Sequence, residues 1–289
     1  MPGTLLYGLI LFDIIEGKMY IGGPAINIAL HMAYHGDHPS LVSCVGNDSL
    51  GEMAKKLLVN NSVSTDFIKT DSQHETGRVP VFLDKKGNPT FEIIQPVAYD
   101  FITLTEKQLE ELSKTRFDIF YFGTVVQRTY TSAETLQKLL NCISFNYSFF
   151  DINLREGHFT KEVVDFSLRH TDILKLNEEE LLEVAAIFGL GMSEEEMIIE
   201  WAFKQYPAKI ILLTRGDRGV SVFTPGERKD IDGIKVKVKD TVGSGDAFSA
   251  GFIMEYMKSG DLICAAQKGN ELGAYVAARS GAVPEIDEH

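Results

Sequence analysis

The sequence predicts an α/β fold: a doubly wound, mostly parallel sheet flanked by helices, with a small β-sheet lid. Short apolar runs rich in Ile, Val and Phe alternate with helical patterns, as in a parallel sheet covered on both faces. Residues 76–96 instead contain two strand-like runs with no helix between them. The 289 residues, 44% of them hydrophobic, can bury a large core. We therefore expect one domain over residues 1–289, with lid segments at about 10–22 and 77–98.

Six apolar runs have the composition of buried strands. They cover residues 6–14, 38–46, 116–123, 147–154, 171–177 and 208–216. Between them, helix starts show the spacing of a capping box, in which a side chain and the backbone amide three residues later satisfy one another. The predicted pairs are Ser49/Glu52, Thr105/Gln108, Thr131/Glu134, Asn177/Glu180 and Ser193/Glu196.

The region without a helix is predicted to be a β-hairpin, because Lys86, Gly87 and Asn88 form a turn between its two apolar runs. Together with the segment around residues 10–22, the hairpin can form a small sheet that covers a ligand. Its apolar face predicts either burial against the protein's own core or pairing of two chains through their lids. This face comprises Val79, Val81, Phe82, Phe91 and Ile93.

Charge and composition exclude several function classes. The chain has 28 Lys and Arg against 41 Asp and Glu, a formal charge of -13, which opposes binding to nucleic acid or to an anionic membrane surface. A phosphate group must then be held by backbone amides and a few cations. Cys44, Cys142 and Cys264 lie far apart and are expected to be reduced thiols in the core. The apolar N-terminus has no basic segment or cleavage site, so we expect a cytoplasmic protein.

A glycine turn near the C-terminus, "DTVGSGDAF", is the first candidate site. Gly243, Ser244 and Gly245 allow a tight turn that points backbone amides at a ligand, at the start of a helix beginning near Asp246. The alternative is an ordinary glycine-rich loop, with Asp246 as a plain helix-start residue. The pattern matches neither GxxxxGK[ST] nor GxGxxG.

A second glycine motif, "GGPAIN", lies near the N-terminus. Gly22 and Gly23 permit close approach of a ligand to the backbone, and Asn27 follows in the first part of a helix. The alternative is a turn that leads into a core helix.

Polar side chains also follow several predicted strands. "DINLR" carries Asp151, Asn153 and Arg155, and "KLNEEEL" carries Lys175, Asn177 and Glu180. In open α/β sheets, ligands bind at the carboxyl ends of the strands. The alternative for the second motif is a plain helix cap, and "TRGDRGV" can be simply a hairpin turn.

Taken together, Asp13, "GGPAIN", "DINLR", "KLNEEEL", "TRGDRGV" and "DTVGSGDAFSAGF" resemble the motifs of the ribokinase/PfkB family of carbohydrate kinases, in the family's order and across nearly the whole chain. "FGTVVQR" and "PVAYDFI" resemble the bacterial fructokinase branch. The resemblance implies a ribokinase-like sheet, a β-sheet lid over a sugar, and transfer of the γ-phosphate of ATP to a sugar hydroxyl. One departure is Gly8-Leu9, where the family often has Gly-Glu.

The resemblance also implies roles. Asp246 would be the catalytic base, and the backbone amides of Gly243, Ser244, Gly245 and Asp246 would hold the charge on the transferred group. Substrate binding is implied for Asp13, Gly22, Gly23, Asn27 and Arg155. ATP binding is implied for Lys175, Asn177, Thr214, Gly216, Gly219 and Asn270. Magnesium is implied at Asn177 and Glu180 through water. Potassium is implied at the backbone of Asp240 and Thr241.

Within the resemblance, fructose is the expected sugar. The alternatives are a kinase of ribose, a ketogluconate or a nucleoside, or a sugar-binding regulator that has lost turnover. The expected partners are a small sugar and ATP, with no nucleic acid or membrane, and with a possible homodimer through the lid.

Overall fold

Thirteen strands form two separate sheets in the computed structural model, which describes residues 3–15, 17–83, 89–91 and 93–284. The strands are β1 (Gly3–Tyr7), β2 (Leu11–Ile15), β3 (Lys18–Gly22), β4 (Ser40–Gly46), β5 (Ile68–Asp71), β6 (Gly77–Leu83), β7 (Pro89–Phe91), β8 (Arg116–Gly123), β9 (Ser144–Asp151), β10 (Ile173–Asn177), β11 (Ile210–Thr214), β12 (Val220–Thr224) and β13 (Glu227–Ile231).

The main sheet has the order β13-β12-β11-β10-β9-β8-β1-β4-β5. Its neighbouring strands are parallel except at β11, β12 and β13, which pair antiparallel. The chain leaves β1 toward β4 and β5 on one side, and later returns to β8 on the other side of β1. Such a reversal opens a crevice at the carboxyl ends of the strands, where ligands bind in folds of this type.

Helices cover both faces of the main sheet. They are α1 (Pro24–Tyr34), α2 (Ser49–Asn60), α3 (Glu106–Lys114), α4 (Tyr130–Cys142), α5 (Lys161–Arg169), α6 (Glu178–Phe188), α7 (Glu195–Gln205), α8 (Ser244–Ser259) and α9 (Leu262–Ala277). The buried sides of α1, α2, α8 and α9 share one core, and those of α3 to α7 share the other. The predicted doubly wound α/β fold is confirmed. None of the described helices is long and apolar enough to cross a bilayer.

Alternating side chains of the strands fill the two cores. In β8, Phe120 and Phe122 enter one core, while Ile119 and Tyr121 enter the other. This follows from the period of two in a strand, where successive side chains point to opposite faces. Because both faces are buried, the strand is almost continuously apolar, which is the pattern that predicted it.

A second sheet of four strands, the small sheet, has the order β3-β2-β6-β7. Strands β2 and β3 form one antiparallel hairpin, β6 and β7 form another, and β2 pairs with β6 in parallel. The hairpin predicted in residues 76–96 is present, although its tip, residues 84–88, lies outside the described residues. Val79 is buried in a core of the main sheet, while the side chains of Val81, Phe82 and Phe91 lie outside the described ones. The covering role of the small sheet stays a prediction.

The predicted first strand, residues 6–14, is wrong as a single element. The structure divides it: β1 ends at Tyr7 in the main sheet, and β2 starts at Leu11 in the small sheet. Helix α1 packs directly on the break, because a methyl group at Gly8 would lie 2.5 Å from Cβ of Ala25. Leu9 and Ile10 remain buried through the change of sheet, so apolar pattern alone gives no sign of it.

Two of the five predicted capping boxes form, at Thr105/Gln108 and Asn177/Glu180. The other three predictions are wrong. Helix α4 begins after Thr129 and α7 after Glu194, without a side-chain cap at either start. In α2 the cap is Asp48, one residue before the predicted Ser49, and its Oδ1 accepts from the Gly51 amide at 2.8 Å.

Asp48 also holds Thr76, the residue directly before strand β6 of the small sheet. Its Oδ2 accepts from the Thr76 amide at 2.7 Å and its Oδ1 from the Thr76 hydroxyl at 2.8 Å. These contacts hold Asp48 in place as the cap, so that Ser49 becomes the first residue of the helix. They also lower the pKa of Asp48 against the opposing effect of its partial burial.

The three cysteines do not share one environment. Cys44 lies in the core as expected, whereas Cys142 and Cys264 are exposed on α4 and α9. Their predicted burial is wrong, because each lies on the outward side of its helix.

Replacement of Asp48 by Ala is expected to destabilise the fold by about 1–2 kcal/mol through loss of the cap. Ser49→Ala is the matched control and is expected to stay within about 0.5 kcal/mol, as for an ordinary surface change. Urea unfolding measures both. Because the pKa of Asp48 is lowered in the fold, the difference between wild type and Asp48→Ala should shrink as pH falls through that pKa. Equal loss in the two variants would contradict the assigned cap.

Candidate active site

A cavity of about 630 Å³ opens at the carboxyl ends of the main-sheet strands, between them and the small sheet. It lies where the chain reverses direction beside β1. Most of the residues singled out from the sequence meet there. Those that line it are Asp13, Gly23, Asn27, Arg155, Lys175, Asn177, Glu180, Thr214, Thr241, Gly243, Ser244, Gly245 and Asp246.

Two further predicted residues lie directly behind the lining. Gly22 packs against Asp13, since a methyl group at Gly22 would lie 2.6 Å from Oδ2 of Asp13. Asp240 stands behind the glycine turn, where its carboxylate accepts from the amides of Val242 at 3.0 Å and Gly281 at 3.1 Å. Both therefore shape the cavity wall from outside it.

Gly216, Gly219 and Asn270 do not line this cavity. Gly219 and Asn270 both approach residues 231–233, and the Gly219 amide donates to the Gly216 carbonyl at 3.2 Å. A methyl group at Gly219 would lie 2.0 Å from the carbonyl oxygen of Ile231. The Asn270 amide donates to the carbonyl of Asp232 at 3.4 Å. The predicted hairpin of β11 and β12 is present, and it brings these residues together beyond Thr214.

The glycine turn depends on an unusual backbone conformation at Gly243. Its φ is 77°, and a methyl group there would lie 2.5 Å from Cα of Ala282. Helix α8 starts at Ser244 without a side-chain cap. The first bond inside the helix runs from the Ala247 amide to the Gly243 carbonyl at 2.9 Å. The amides of Gly245 and Asp246 are thus available to an anion at a helix N-terminus. The same prediction for the Ser244 amide is wrong, because that amide donates to the Thr241 carbonyl at 3.1 Å.

Gly23 has a positive φ before helix α1, as Gly243 has before helix α8. Its φ is 111°, and a methyl group at this position would lie 2.5 Å from the carbonyl oxygen of Leu9. The Asn27 amide then closes the first helical turn by donating to the Gly23 carbonyl at 3.0 Å. Close contact between the loop after β1 and the start of α1 therefore requires glycine.

Asp246 lies in the first turn of α8, and its Oδ2 accepts from Nδ2 of Asn27 at 2.8 Å. Burial raises the pKa of Asp246 to about 6, while the hydrogen bond from Asn27 opposes the rise. Asp151 raises this pKa further, and the positive charges of Lys175 and Arg155 lower it. The carboxylate is therefore ionised at neutral pH and can accept a proton.

Lys175 lies under the glycine turn in a buried ion pair. Its ammonium donates to both oxygens of Asp151, at 2.9 and 2.8 Å. A methyl group at Gly245 would lie 3.5 Å from this ammonium. Asp151 holds the pKa of Lys175 above its usual value against burial, so a fixed positive charge lies beside the amides of the turn.

Asn177 and Glu180 form the predicted cap and line the cavity at the same time. The Glu180 amide donates to Oδ1 of Asn177 at 2.8 Å, and the Asn177 amide donates to Oε2 of Glu180 at 2.9 Å. Oε1 of Glu180 accepts from the Leu154 amide at 3.2 Å, which ties the loop after β9 to α6. Burial raises the pKa of Glu180, and Lys175 opposes this.

These oxygen donors suit a hard cation that keeps several waters. Each carboxylate oxygen of Glu180 accepts one backbone amide, which leaves further lone pairs for water. Among the described residues, no three His, Cys, Asp or Glu side chains are grouped so as to hold a metal directly. The potassium ligand predicted at Thr241 does not fit well, since the Thr241 carbonyl already accepts the Ser244 amide at 3.1 Å and the Ser244 hydroxyl at 2.9 Å. The potassium ligand predicted at the Asp240 backbone stays a prediction.

Asp13 extends from β2 of the small sheet into the other end of the cavity. Burial raises the pKa of Asp13 to about 6, and the charge of Arg155 lowers it. Arg155 is exposed and donates to the carbonyl of Leu154 at 2.8 Å. A carboxylate and a guanidinium at this end can bind neighbouring hydroxyl groups.

The sequence predicted no contact with a ligand for one wall of the cavity, although Val79 and Ile93 in this wall belong to the predicted apolar face of the hairpin. The wall is apolar and consists of Leu9, Leu11, Val79, Ile93, Tyr99 and Val125. These residues have the pattern of ordinary core positions, so nothing in the sequence separates them from the core. Asn153 of "DINLR" also lines the cavity, with φ at 36°. Asn adopts this left-handed conformation more readily than most residues. The presence of Asn at this position was therefore the one sequence feature that indicated an unusual backbone here.

The sequence model that describes pfkB family carbohydrate kinases matches residues 13–288. The chain belongs to this family. The resemblance drawn from the motifs is thereby confirmed, and so is the expectation of an enzyme: this pfkB protein is a carbohydrate kinase.

Other members of the pfkB family resemble the chain over most of its length. The uncharacterized sugar kinase PH1459 of Pyrococcus horikoshii is 30% identical, covering 99% of this chain and 92% of its own. Its structure in complex with ATP has a TM-score of 0.78. The fructokinase of Escherichia coli is 26% identical, covering 83% of this chain and 78% of its own. A fructokinase of Vibrio cholerae O395, solved with fructose, ADP and calcium ion, is 24% identical with a TM-score of 0.85, covering 98% and 95% of the two chains.

Replacement of Gly243 by Ala in this pfkB kinase is expected to lower kcat by roughly 10²-fold or more, because the displaced turn loses its aimed amides. Gly260→Ala is the matched control. Gly260 ends the same helix with φ at 68° and has open space around it, so the change costs roughly 1–2 kcal/mol of stability and should keep kcat within about twofold of wild type. Steady-state kinetics and thermal unfolding compare the two. Similar kcat losses in both would show that the turn acts only through stability.

Proposed function

We propose that this carbohydrate kinase transfers the γ-phosphoryl group of ATP to a hydroxyl of fructose or a similar ketohexose. The observation that carries the proposal is the position of Asp246, at the first turn of α8, beside the glycine turn and facing a cavity whose other end carries Asp13. The Escherichia coli fructokinase supports fructose as the first sugar to test. The ATP complex of PH1459 supports ATP as the phosphate donor.

In the proposed reaction, Asp13 and Arg155 orient the sugar from the small-sheet end of the cavity. The sugar hydroxyl oxygen attacks the γ-phosphorus, its proton passes to Asp246, and the bond between the γ-phosphorus and the oxygen of ADP breaks. The amides of Gly245 and Asp246 hold the charge that develops on the transferred group. Asp246 returns the proton to solvent after the product leaves.

ATP is proposed to extend from the glycine turn past Thr214. Thr214 lies next to Asn177 in the sheet, and the group at Gly216, Gly219 and Asn270 lies beyond it, where ribose and adenine would bind. The Lys175 ammonium is held by Asp151 and acts on the phosphates as a fixed charge beside the turn, rather than as a mobile contact. Magnesium would be held at Asn177 and Glu180 through its waters, and when bound it neutralises charge on the phosphates.

Pairing of two chains through the small sheet is a separate proposal. Its edge strand β3 leaves Met19 50% and Tyr20 43% exposed, which is a large apolar surface for an edge strand. The burial of Val79 in the main core reduces the apolar area that a partner would cover. Light scattering at micromolar concentration decides between dimer and monomer.

An ADP-release assay tests the kinase and its sugar together. With ATP, magnesium and potassium, fructose is expected to give the largest kcat/KM in a panel that includes ribose, a ketogluconate and nucleosides. Asp246→Asn should lower kcat by roughly 10²–10⁴-fold, because the amide keeps the shape but cannot accept the proton. A larger kcat/KM for another substrate would replace fructose. Turnover by the Asp246→Asn variant within a few-fold of wild type would remove Asp246 as the base.

A further inference from the structure

Asn27 has an environment that sugar binding alone does not explain. The side chain lies on α1, is 3% exposed, and uses Nδ2 to bond Oδ2 of Asp246. Its Oδ1 is buried without a partner among the described residues. The Asn27 donor group therefore already belongs to Asp246 before any sugar enters.

Chemistry fixes which way the Asn27 amide points. An ionised carboxylate only accepts hydrogen bonds, so the NH₂ group must face Asp246, and the reversed amide would set two oxygens against each other. With Oδ2 engaged by Asn27, the other oxygen of Asp246 has no hydrogen-bond partner among the described residues. That oxygen is the one left to receive a proton from a ligand in the cavity.

We propose that Asn27 is a positioning residue for Asp246: it fixes the rotation of the carboxylate and favours its ionised form, so that Oδ1 meets the attacking hydroxyl. This inference rests on the proposed role of Asp246 as the base. It differs from the sugar contact implied by the family resemblance, because the loss of Asn27 would then act on the chemical step rather than on sugar affinity.

Several charged groups face Asp246 and set the background for this effect. Asp151 at the end of β9 raises its pKa, while Lys175 on β10 and Arg155 after β9 lower it. The buried phenol of Tyr121 on β8 also faces Asp246, whose charge helps to raise the pKa of Tyr121. The free amides of the first turn of α8 favour the anion as well. Of the influences that lower the pKa of Asp246, the hydrogen bond from Asn27 is the largest. Its removal should therefore raise the pKa of Asp246 even though the other charged groups stay in place.

The experiment compares wild type, Asn27→Ala and Asn27→Asp. Asp246 must be ionised to accept a proton, so kcat falls as pH drops through its pKa. Removal of the donor raises that pKa and moves the acid limb of kcat to higher pH, by about one pH unit for Asn27→Ala. Asn27→Asp has nearly the same shape but adds a like charge, so the acid limb of kcat in this variant should lie at a still higher pH. At pH 7 the shift of one pH unit alone lowers kcat about twofold for Asn27→Ala. Loss of the fixed carboxylate rotation should bring the total fall to about tenfold or more in both variants, with the KM for sugar within about threefold of wild type.

Asp13→Ala is the matched comparison from the other end of the cavity. It should raise the KM for sugar and leave the acid limb of kcat in place. A rise in sugar KM for Asn27→Ala, with an unmoved limb, would overturn the proposal and assign Asn27 to sugar binding. Equal limbs for the Ala and Asp variants would also overturn it, since a purely architectural role does not distinguish a neutral from a charged side chain.

A measurement that needs no turnover separates this inference from the proposed function. NMR titration of protein labelled with ¹³C at aspartate carboxyl groups, with Asp246→Asn for assignment, gives the pKa of Asp246 directly. The expected order of that pKa is wild type below Asn27→Ala below Asn27→Asp. If wild type releases no ADP with any sugar but this order holds, the proposed function fails and the coupling survives. If the three values coincide, the coupling fails whatever the activity.

Discussion

The hydrogen bond between Asn27 and Asp246 joins two helix starts that are 219 residues apart in the sequence. Each helix follows a glycine with a positive φ, Gly23 before α1 and Gly243 before α8, and each glycine packs against backbone that a side chain would displace. The two helices also pack against each other on one face of the main sheet. The geometry of the cavity therefore depends on two close backbone contacts, at Leu9 and Ala282, more than on any single long side chain.

Local charge, rather than the formal charge of -13, decides what the cavity can hold. Asp13, Asp246 and Glu180 line it along with the ion pair of Lys175 and Asp151. Because Lys175 is paired with Asp151, its charge is partly balanced, so the oriented amides of the glycine turn are needed beside it to hold an anionic group. Burial raises the pKa of both Asp13 and Asp246 to about 6. Each carboxylate is thus ionised at neutral pH but still a good proton acceptor, which suits the recognition and activation of hydroxyl groups.

The fold could be predicted because strands buried on both faces and the helical segments between them have distinct sequence patterns, even though only two of the five predicted helix caps form. Much of the site could be predicted because Asp13, Asn177 and Asp246 belong to motifs of a known order. The change of sheet after Gly8 could not be predicted, since Leu9 and Ile10 stay buried through the change. Contacts between distant segments, such as Asp48 with Thr76 or Asn27 with Asp246, arise only from tertiary packing. For the same reason, the apolar cavity wall could not be separated from the core.

The most direct test of how the glycine turn and Asp246 work together is a crystal structure with ADP, aluminium fluoride and the sugar that gives the largest kcat/KM. The fluoride group is expected to accept from the amides of Gly245 and Asp246. The sugar hydroxyl should lie within hydrogen-bond distance of Oδ1 of Asp246, with Oδ2 still held by Asn27. A fluoride group bound away from the turn, or a sugar hydroxyl directed at another side chain, would contradict the assignment of this site.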